Sequence, residues 1–182
     1  MSDFCIETQG LTRVFGTLVA VDRIAVRVPK GCFYGFLGPN GAGKSTTIKM
    51  LTGLLKPTTG AASILGLDLQ RDLLEIKRRI GVVPEGLHLF ERLTGREYLT
   101  FVGRMYGLDR VTVGKRTDEL IAMMDLGEKQ DALIVDYSHG MKKKIALSAA
   151  LIHDPEIYFL DEPFEGVDAI ASKQIRDVLQ SL

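Results

Sequence analysis

Residues 38–45 read Gly38-Pro39-Asn40-Gly41-Ala42-Gly43-Lys44-Ser45, and this stretch decides the fold. It satisfies G-x-x-x-x-G-K-[ST] at every position. Before it stands the short apolar run Cys32-Phe33-Tyr34-Gly35-Phe36-Leu37, whose composition predicts a buried strand. After it, Ile48, Leu51, Leu54 and Leu55 recur at helical spacing until Lys56-Pro57-Thr58-Thr59-Gly60 stops the pattern. Glycines let the loop turn several backbone N–H groups toward one anion, and the helix that starts there adds its positive dipole end. The loop therefore predicts a phosphate cradle made of Gly38, Pro39, Asn40, Gly41, Ala42, Gly43, Lys44, Ser45 and Thr46. Lys44 would neutralise the β and γ phosphates of a nucleotide, and the Ser45 hydroxyl would ligate Mg²⁺. A chance glycine-rich turn is the competing reading; the complete motif between a strand and a helix outweighs it.

Working outward, a second chemical feature stands at Ile157-Tyr158-Phe159-Leu160-Asp161-Glu162-Pro163. Two carboxylates follow an apolar strand, and parallel sheets bind ligands beyond the carboxyl ends of their strands. Asp161 is placed to hold Mg²⁺ through water, and Glu162 to polarise an attacking water. Alone the segment is an ordinary polar strand end. Beside a phosphate loop it gains weight, because phosphoryl transfer needs both a cradle and a metal carboxylate.

The remaining pattern alternates strands and helices. Ile24-Ala25-Val26-Arg27-Val28, Ala62-Ser63-Ile64-Leu65 and Ile80-Gly81-Val82-Val83 predict strands, and Leu73 to Arg79 a short helix. Thr94-x-x-Glu97 is a capping box opening a helix to Tyr106. Further helices are predicted over about 112–125, after Ser138, and from about Ile170 to Leu182. The expectation is an α/β chain with a mainly parallel sheet, an N-terminal antiparallel β portion and a helical insertion over roughly 90–150.

Composition narrows the function classes. Hydrophobic residues at 46% and charged residues at 25% are globular values. Lys plus Arg equals Asp plus Glu at 23 each, so the chain lacks the net basic field of a dedicated nucleic-acid binder, and no nucleic acid is expected as partner. Cys5 and Cys32 form no C-x-x-C pair, which leaves neither a zinc nor a redox motif. No apolar run reaches the ~18–20 residues of a membrane span, and the N-terminus is not a signal peptide.

The two motifs, their order and the helical stretch between them resemble the ATP-binding subunit of an ABC transporter, over nearly the whole chain. The resemblance implies a P-loop NTPase fold, ATP and Mg²⁺ as cofactors, and a single ATP-binding domain over 1–182. It identifies Tyr137-Ser138-His139-Gly140-Met141 with the L-S-G-G-Q signature, matching at Ser138 and Gly140. These two would cap the γ-phosphate held by a second copy; Ser138 also reads as an ordinary N-cap. Lys142-Lys143-Lys144 read equally as family cations or as a solvated helix face. Phe15 resembles the aromatic that stacks on adenine, with Val21 flanking it, and reads equally as a core aromatic. Glu85, in Val83-Pro84-Glu85, stands where the family carries a glutamine that approaches Mg²⁺. Gly166-Val167-Asp168 resembles the loop that crosses the dimer interface.

The family also carries a histidine at the end of a further strand, inserted between the phosphate-loop strand and the acidic strand. The chain ends before that position, so it is expected to lack a central strand and to be incomplete at its C-terminus. The implied function is ATP hydrolysis, with Glu162 as catalytic base, in an ATP-sandwiched dimer. That dimer would drive transport, of bacterial exporter kind, by a separately encoded permease. The chain would then be cytoplasmic and peripheral on the inner face of the membrane. The alternatives are a soluble ABC-type ATPase acting on DNA or the ribosome, and a P-loop kinase or GTPase; the N-K-x-D guanine motif of a GTPase does not occur.

Overall fold

The computed structural model describes residues 3–180 and divides into two units, residues 1–80 and 81–182. The first unit is built on β1 (Phe4–Phe15), the longest strand. Around it run β2 (Leu18–Ile24), β3 (Arg27–Pro29), β4 (Thr59–Ile64) and β5 (Leu67–Asp68), in the order β2-β1-β4-β5 with β3 also on β1. All these pairs are antiparallel, with Phe15 opposite Leu18 across the first hairpin and Ile6 opposite both Val28 and Ile64. This is the antiparallel portion the sequence predicts. Leu11 and Ile64 are fully buried in it, and α1 (Lys44–Leu51) and α2 (Leu73–Arg79) contribute buried Met50 and Ile76.

Three expectations change here. The strand predicted over Ile24–Val28 is broken: β2 ends at Ile24 and β3 starts at Arg27. Between them, the Thr8 hydroxyl accepts from the Val26 N–H at 2.8 Å, so a side chain replaces a ladder bond. The helix after the phosphate loop stops at Leu51 rather than reaching Leu55. Gly53 takes φ +67°, and the Leu54 and Leu55 N–H groups both turn back to the Lys49 carbonyl, at 2.8 and 2.9 Å. A glycine in the left-handed region just past a helix is a stop signal, and Gly53 precedes the proline that the apolar pattern pointed to. Third, Cys32–Leu37 forms no strand. Among the described residues of its unit none pairs with it, and Phe33 and Leu37 are 80% and 94% exposed. Apolar composition proposes a strand; ladder hydrogen bonds make one.

The second unit opens with β6 (Ile80–Val83), which pairs with β7 (Ile157–Leu160) as the parallel part of the fold. Between them in sequence lie α3 (Gly95–Met105), α4 (Arg110–Met123), two single 3₁₀ turns at Gly127–Lys129 and Ile134–Asp136, and α5 (His139–Leu151). The predicted capping box is present: the Glu97 N–H donates to Thr94 Oγ1 at 3.2 Å, and the Thr94 N–H to Glu97 Oε2 at 2.9 Å. α5 is the central helix, with every residue from Lys143 to Leu151 buried. A helix buried all round is held by neighbours on several sides, and α3, α4 and α6 (Ala169–Gln180) all pack on it. The predicted final helix ran to Leu182; residues 181 and 182 lie outside the described residues.

Candidate functional site

In the first unit the phosphate loop joins Leu37 to α1. Gly43 is the N-cap of α1 at φ 84° and ψ 12°. No side chain caps that helix start, and no acidic residue stands in its first turn. Backbone N–H groups of a first helical turn have no intrahelical partner and attract anions. The glycine is required twice over. Its φ is left-handed, and a Cβ would meet the Ala20 carbonyl oxygen at 2.4 Å and Val21 Cγ2 at 3.0 Å. The loop therefore rests directly on β2. Val21 is buried beneath it, so it is a support for the loop rather than an exposed flank for adenine.

Lys44 reaches back across the loop. Its ammonium donates to the Gly38 carbonyl at 2.8 Å and the Pro39 carbonyl at 3.2 Å. The Ala42 N–H donates to the Pro39 carbonyl at 3.2 Å, which closes the turn. Gly38, Pro39, Asn40, Gly41 and Ala42 are exposed, while Ser45 and Thr46 lie half-buried in the first turn of α1. The cation thus sits among backbone groups that have no acidic neighbour on α1. Phe15 is 44% exposed at the tip of the first hairpin, and the Arg13 guanidinium stands 4.4 Å above its ring. It is not a core aromatic. One face of the ring already carries a cation; a stacked base would use the other.

In the second unit β7 delivers the two carboxylates. Asp161 is 4% exposed, and its N–H donates to the Val83 carbonyl at 2.9 Å. That bond sets the end of β7 beside the end of β6, where Pro84 and exposed Glu85 leave the sheet. Glu162 is exposed and has φ +50°, a left-handed backbone that non-glycine residues adopt uncommonly. Its carbonyl accepts from the Glu165 N–H at 3.2 Å and from the Lys143 ammonium at 2.9 Å.

α5 brings the signature residues to this turn. The Ser138 hydroxyl accepts from the Met141 N–H at 3.2 Å, so it is the N-cap. A Cβ on Gly140 would meet Ala171 Cβ at 3.2 Å and Asp168 Oδ2 at 3.3 Å. His139 Nε2 stands 3.2 Å from the Glu165 carbonyl oxygen, within reach in the tautomer that carries its proton there. Tyr137 is buried, and its hydroxyl donates to the Lys129 carbonyl at 2.8 Å. Asp168 accepts from the Ile170 and Ala171 N–H groups at 2.9 Å each. The Ala171 bond first, then the Ile170 bond and the Lys144 charge, hold its carboxyl below the ordinary value.

Of the two readings of the lysine run, a solvated helix face does not hold for Lys143 and Lys144. Lys143 and Lys144 are buried, and Lys142 pairs with Glu91 at 2.6 Å. Lys143 is also the site residue that sequence reasoning missed. A signal was present: it shares a helix face, at spacings of four, with buried Leu147 and Leu151.

The donor chemistry suits ATP with Mg²⁺. The loop offers a cation and uncapped N–H groups to phosphates. Ser45 in the first unit and Asp161 in the second each carry a hard oxygen, the ligand type Mg²⁺ takes. Among the described residues no three His, Cys, Asp or Glu side chains cluster into a cage of their own. Mg²⁺ in nucleotide sites is held by one or two protein oxygens plus phosphates and water, so no such cage is needed.

A family model described as ABC transporter matches residues 21–165. The daunorubicin/doxorubicin resistance ATP-binding protein DrrA of Streptomyces peucetius is 41% identical over 97% of this chain and 54% of its own length. The bacitracin transport ATP-binding protein BcrA of Bacillus licheniformis is 39% identical over 97% of this chain and 57% of its own. The chain thus spans about half the length of the curated relatives it matches. A solved ATP-binding subunit of an ABC transporter superposes with a TM-score of 0.87 at 30% identity, covering 97% of this chain and 74% of its own. A dimeric ATP-binding cassette solved with ADP and phosphate gives 0.88 at 24% identity, over 97% of this chain and 82% of its own, a likeness of fold.

Proposed function

The chain belongs to the ABC transporter family, and from that premise we propose that it binds ATP with Mg²⁺ and hydrolyses it to drive export through a separately encoded permease. The observation that carries the reading is the Lys44 ammonium folded across the loop at the uncapped start of α1. Gly38, Asn40, Gly41 and Gly43 supply backbone N–H groups to the phosphates. Lys44 exchanges its two carbonyl acceptors for phosphate oxygens, and Ser45 and Thr46 complete the cradle. Ser45, Asp161 and Glu85 are the oxygen-bearing side chains assigned to Mg²⁺ in this reading. The metal would supply charge neutralisation at the phosphates. Glu162, exposed beyond buried Asp161, accepts the proton of the attacking water at its carboxylate. Phe15 stacks on the base.

Ser138 and Gly140 contribute in trans. Ser138 is exposed at the start of α5, which it caps, and a second copy would present its nucleotide there. The working unit is then a dimer enclosing ATP, docked on a membrane permease. Among the described residues no helix is long and apolar enough to cross a membrane, so contact with the bilayer would come through that permease. The names of the resistance and bacitracin-transport relatives support the exporter reading. Sedimentation with and without ATP tests it. Wild type is expected to dimerise with ATP, and Lys44→Ala to stay monomeric; ATP-independent behaviour in both refutes the reading.

A further inference from the structure

Lys143 is the buried cation to which the proposed chemistry assigns no task. It lies one turn into α5 at 3% exposure. Lysine is almost never fully buried unless its ammonium is paired or hydrogen-bonded. Its acceptor here is not a carboxylate. The ammonium donates at 2.9 Å to the main-chain carbonyl of Glu162, the residue read as general base.

The backbone at Glu162 explains why such a bond matters. A left-handed non-glycine residue persists only where its surroundings impose it, and Glu162 has φ +50°. One residue earlier, the Asp161 N–H is tied to the Val83 carbonyl at 2.9 Å. After it, the Glu165 N–H closes a turn on the same Glu162 carbonyl at 3.2 Å. Among the described residues the Lys143 ammonium is thus the charged donor on that carbonyl, and it comes from a helix rather than from the turn itself. Lys144, next in the chain, lies under the influence of a carboxylate instead: its charge lowers Asp168.

We propose that Lys143 is a positioning residue: by holding the Glu162 carbonyl it fixes the left-handed backbone that aims the Glu162 carboxylate. The inference rests on Glu162 being the general base. Lys143 touches no reacting atom. It sets where the base points, so its loss lowers turnover and leaves nucleotide binding intact.

Steady-state ATP hydrolysis and amide hydrogen exchange on wild type, Lys143→Met, Lys143→Arg and Glu162→Gln test it. Methionine keeps the buried stem and removes the donor. Lys143→Met is expected to lower kcat about 10- to 100-fold, the range for losing one charged hydrogen bond. KM for ATP should stay within about threefold, because the lost group acts on the chemical step. The Glu165 amide should exchange faster, and Lys143→Arg should recover most of both effects. Wild-type kcat in Lys143→Met, with turnover abolished in Glu162→Gln, overturns the inference and leaves the general-base reading standing. Turnover that survives Glu162→Gln overturns both. If the methionine variant unfolds, Lys143→Gln takes its place with a neutral donor. An intermediate kcat at unchanged KM then supports the inference, and a raised KM with wild-type exchange at Glu165 overturns it.

Discussion

Gly43→Ala and Gly41→Ala form a matched pair that separates backbone strain from steric clash in the phosphate loop. The two glycines have nearly the same left-handed conformation, φ +84° and φ +82°. An L residue there costs about 1–2 kcal/mol, so both substitutions carry that penalty. Their surroundings differ. A Cβ on Gly41 meets nothing within 4 Å, whereas one on Gly43 would lie 2.4 Å from the Ala20 carbonyl oxygen. That oxygen is backbone of β2, held in register against β1 by pairs such as Arg13 with Val21. It cannot swing aside as a side chain would, so the start of α1 must lift off the sheet. Overpacking of this sort costs about 1–3 kcal/mol more. In a chain of this size each kcal/mol moves the melting point by about 2–4 °C, so Gly43→Ala should melt roughly 2–12 °C below Gly41→Ala. Thermal unfolding of both variants beside wild type reads the difference. ATP binding followed with a fluorescent nucleotide should fall further in Gly43→Ala, because lifting α1 moves the first-turn N–H groups. Equal melting points for the two variants would refute the argument that the loop is seated on β2.

Four further outcomes are expected. Lys44→Ala should weaken ATP binding by at least about tenfold, the loss of a charged hydrogen bond, and shift the melting point little; calorimetric titration checks this, and unchanged affinity would remove the loop from the site. Glu162→Gln should keep ATP binding and lose turnover, trapping an ATP-bound dimer visible by size exclusion. Thr94→Ala removes the acceptor of the Glu97 N–H and should cost about 0.5–2 kcal/mol in denaturant unfolding. At acid pH, Asp109 is held below its ordinary value of 3.8 by the Thr112 hydroxyl first and then by backbone N–H groups, and Asp168 by the Ala171 N–H first. A lowered folded pKa gives stability that is present above the unfolded value and lost as pH falls through the folded one. Stability should therefore fall below about pH 4, and Asp109→Asn with Asp168→Asn should flatten that slope in acid unfolding.

The parts of the fold legible in the sequence were those written in local chemistry. The capping box at Thr94 and Glu97, the N-cap at Ser138 and the loop over residues 38–45 each need only neighbours in sequence, and each is where its residues place it. What failed depended on partners. Cys32–Leu37 has a strand's composition, but a strand also needs a second chain segment to accept its N–H groups. The end of α1 was misplaced because the apolar period ran on through Leu54, while one glycine at position 53 had already turned the chain. Phe15 stayed open in the sequence because a hairpin tip and a core strand look alike when the turn is only Gly16 and Thr17.

The lysine run shows the same limit at the site. Charge argues for the surface, and helical position argues for the interior. In Lys142-Lys143-Lys144 position prevailed at two of the three residues. An ammonium can be buried when an oxygen awaits it, and for Lys143 that oxygen is the Glu162 carbonyl, 19 residues further along the chain, a separation no local pattern encodes. That turn is itself unusual, since Glu162 holds a backbone that ordinary residues avoid. A buried cation and a strained carboxylate-bearing residue are each costly alone. Joined by one hydrogen bond at 2.9 Å, each supplies what holds the other in place. Neither change would be neutral by itself: Glu162 moved off its left-handed backbone would leave Lys143 buried without its acceptor.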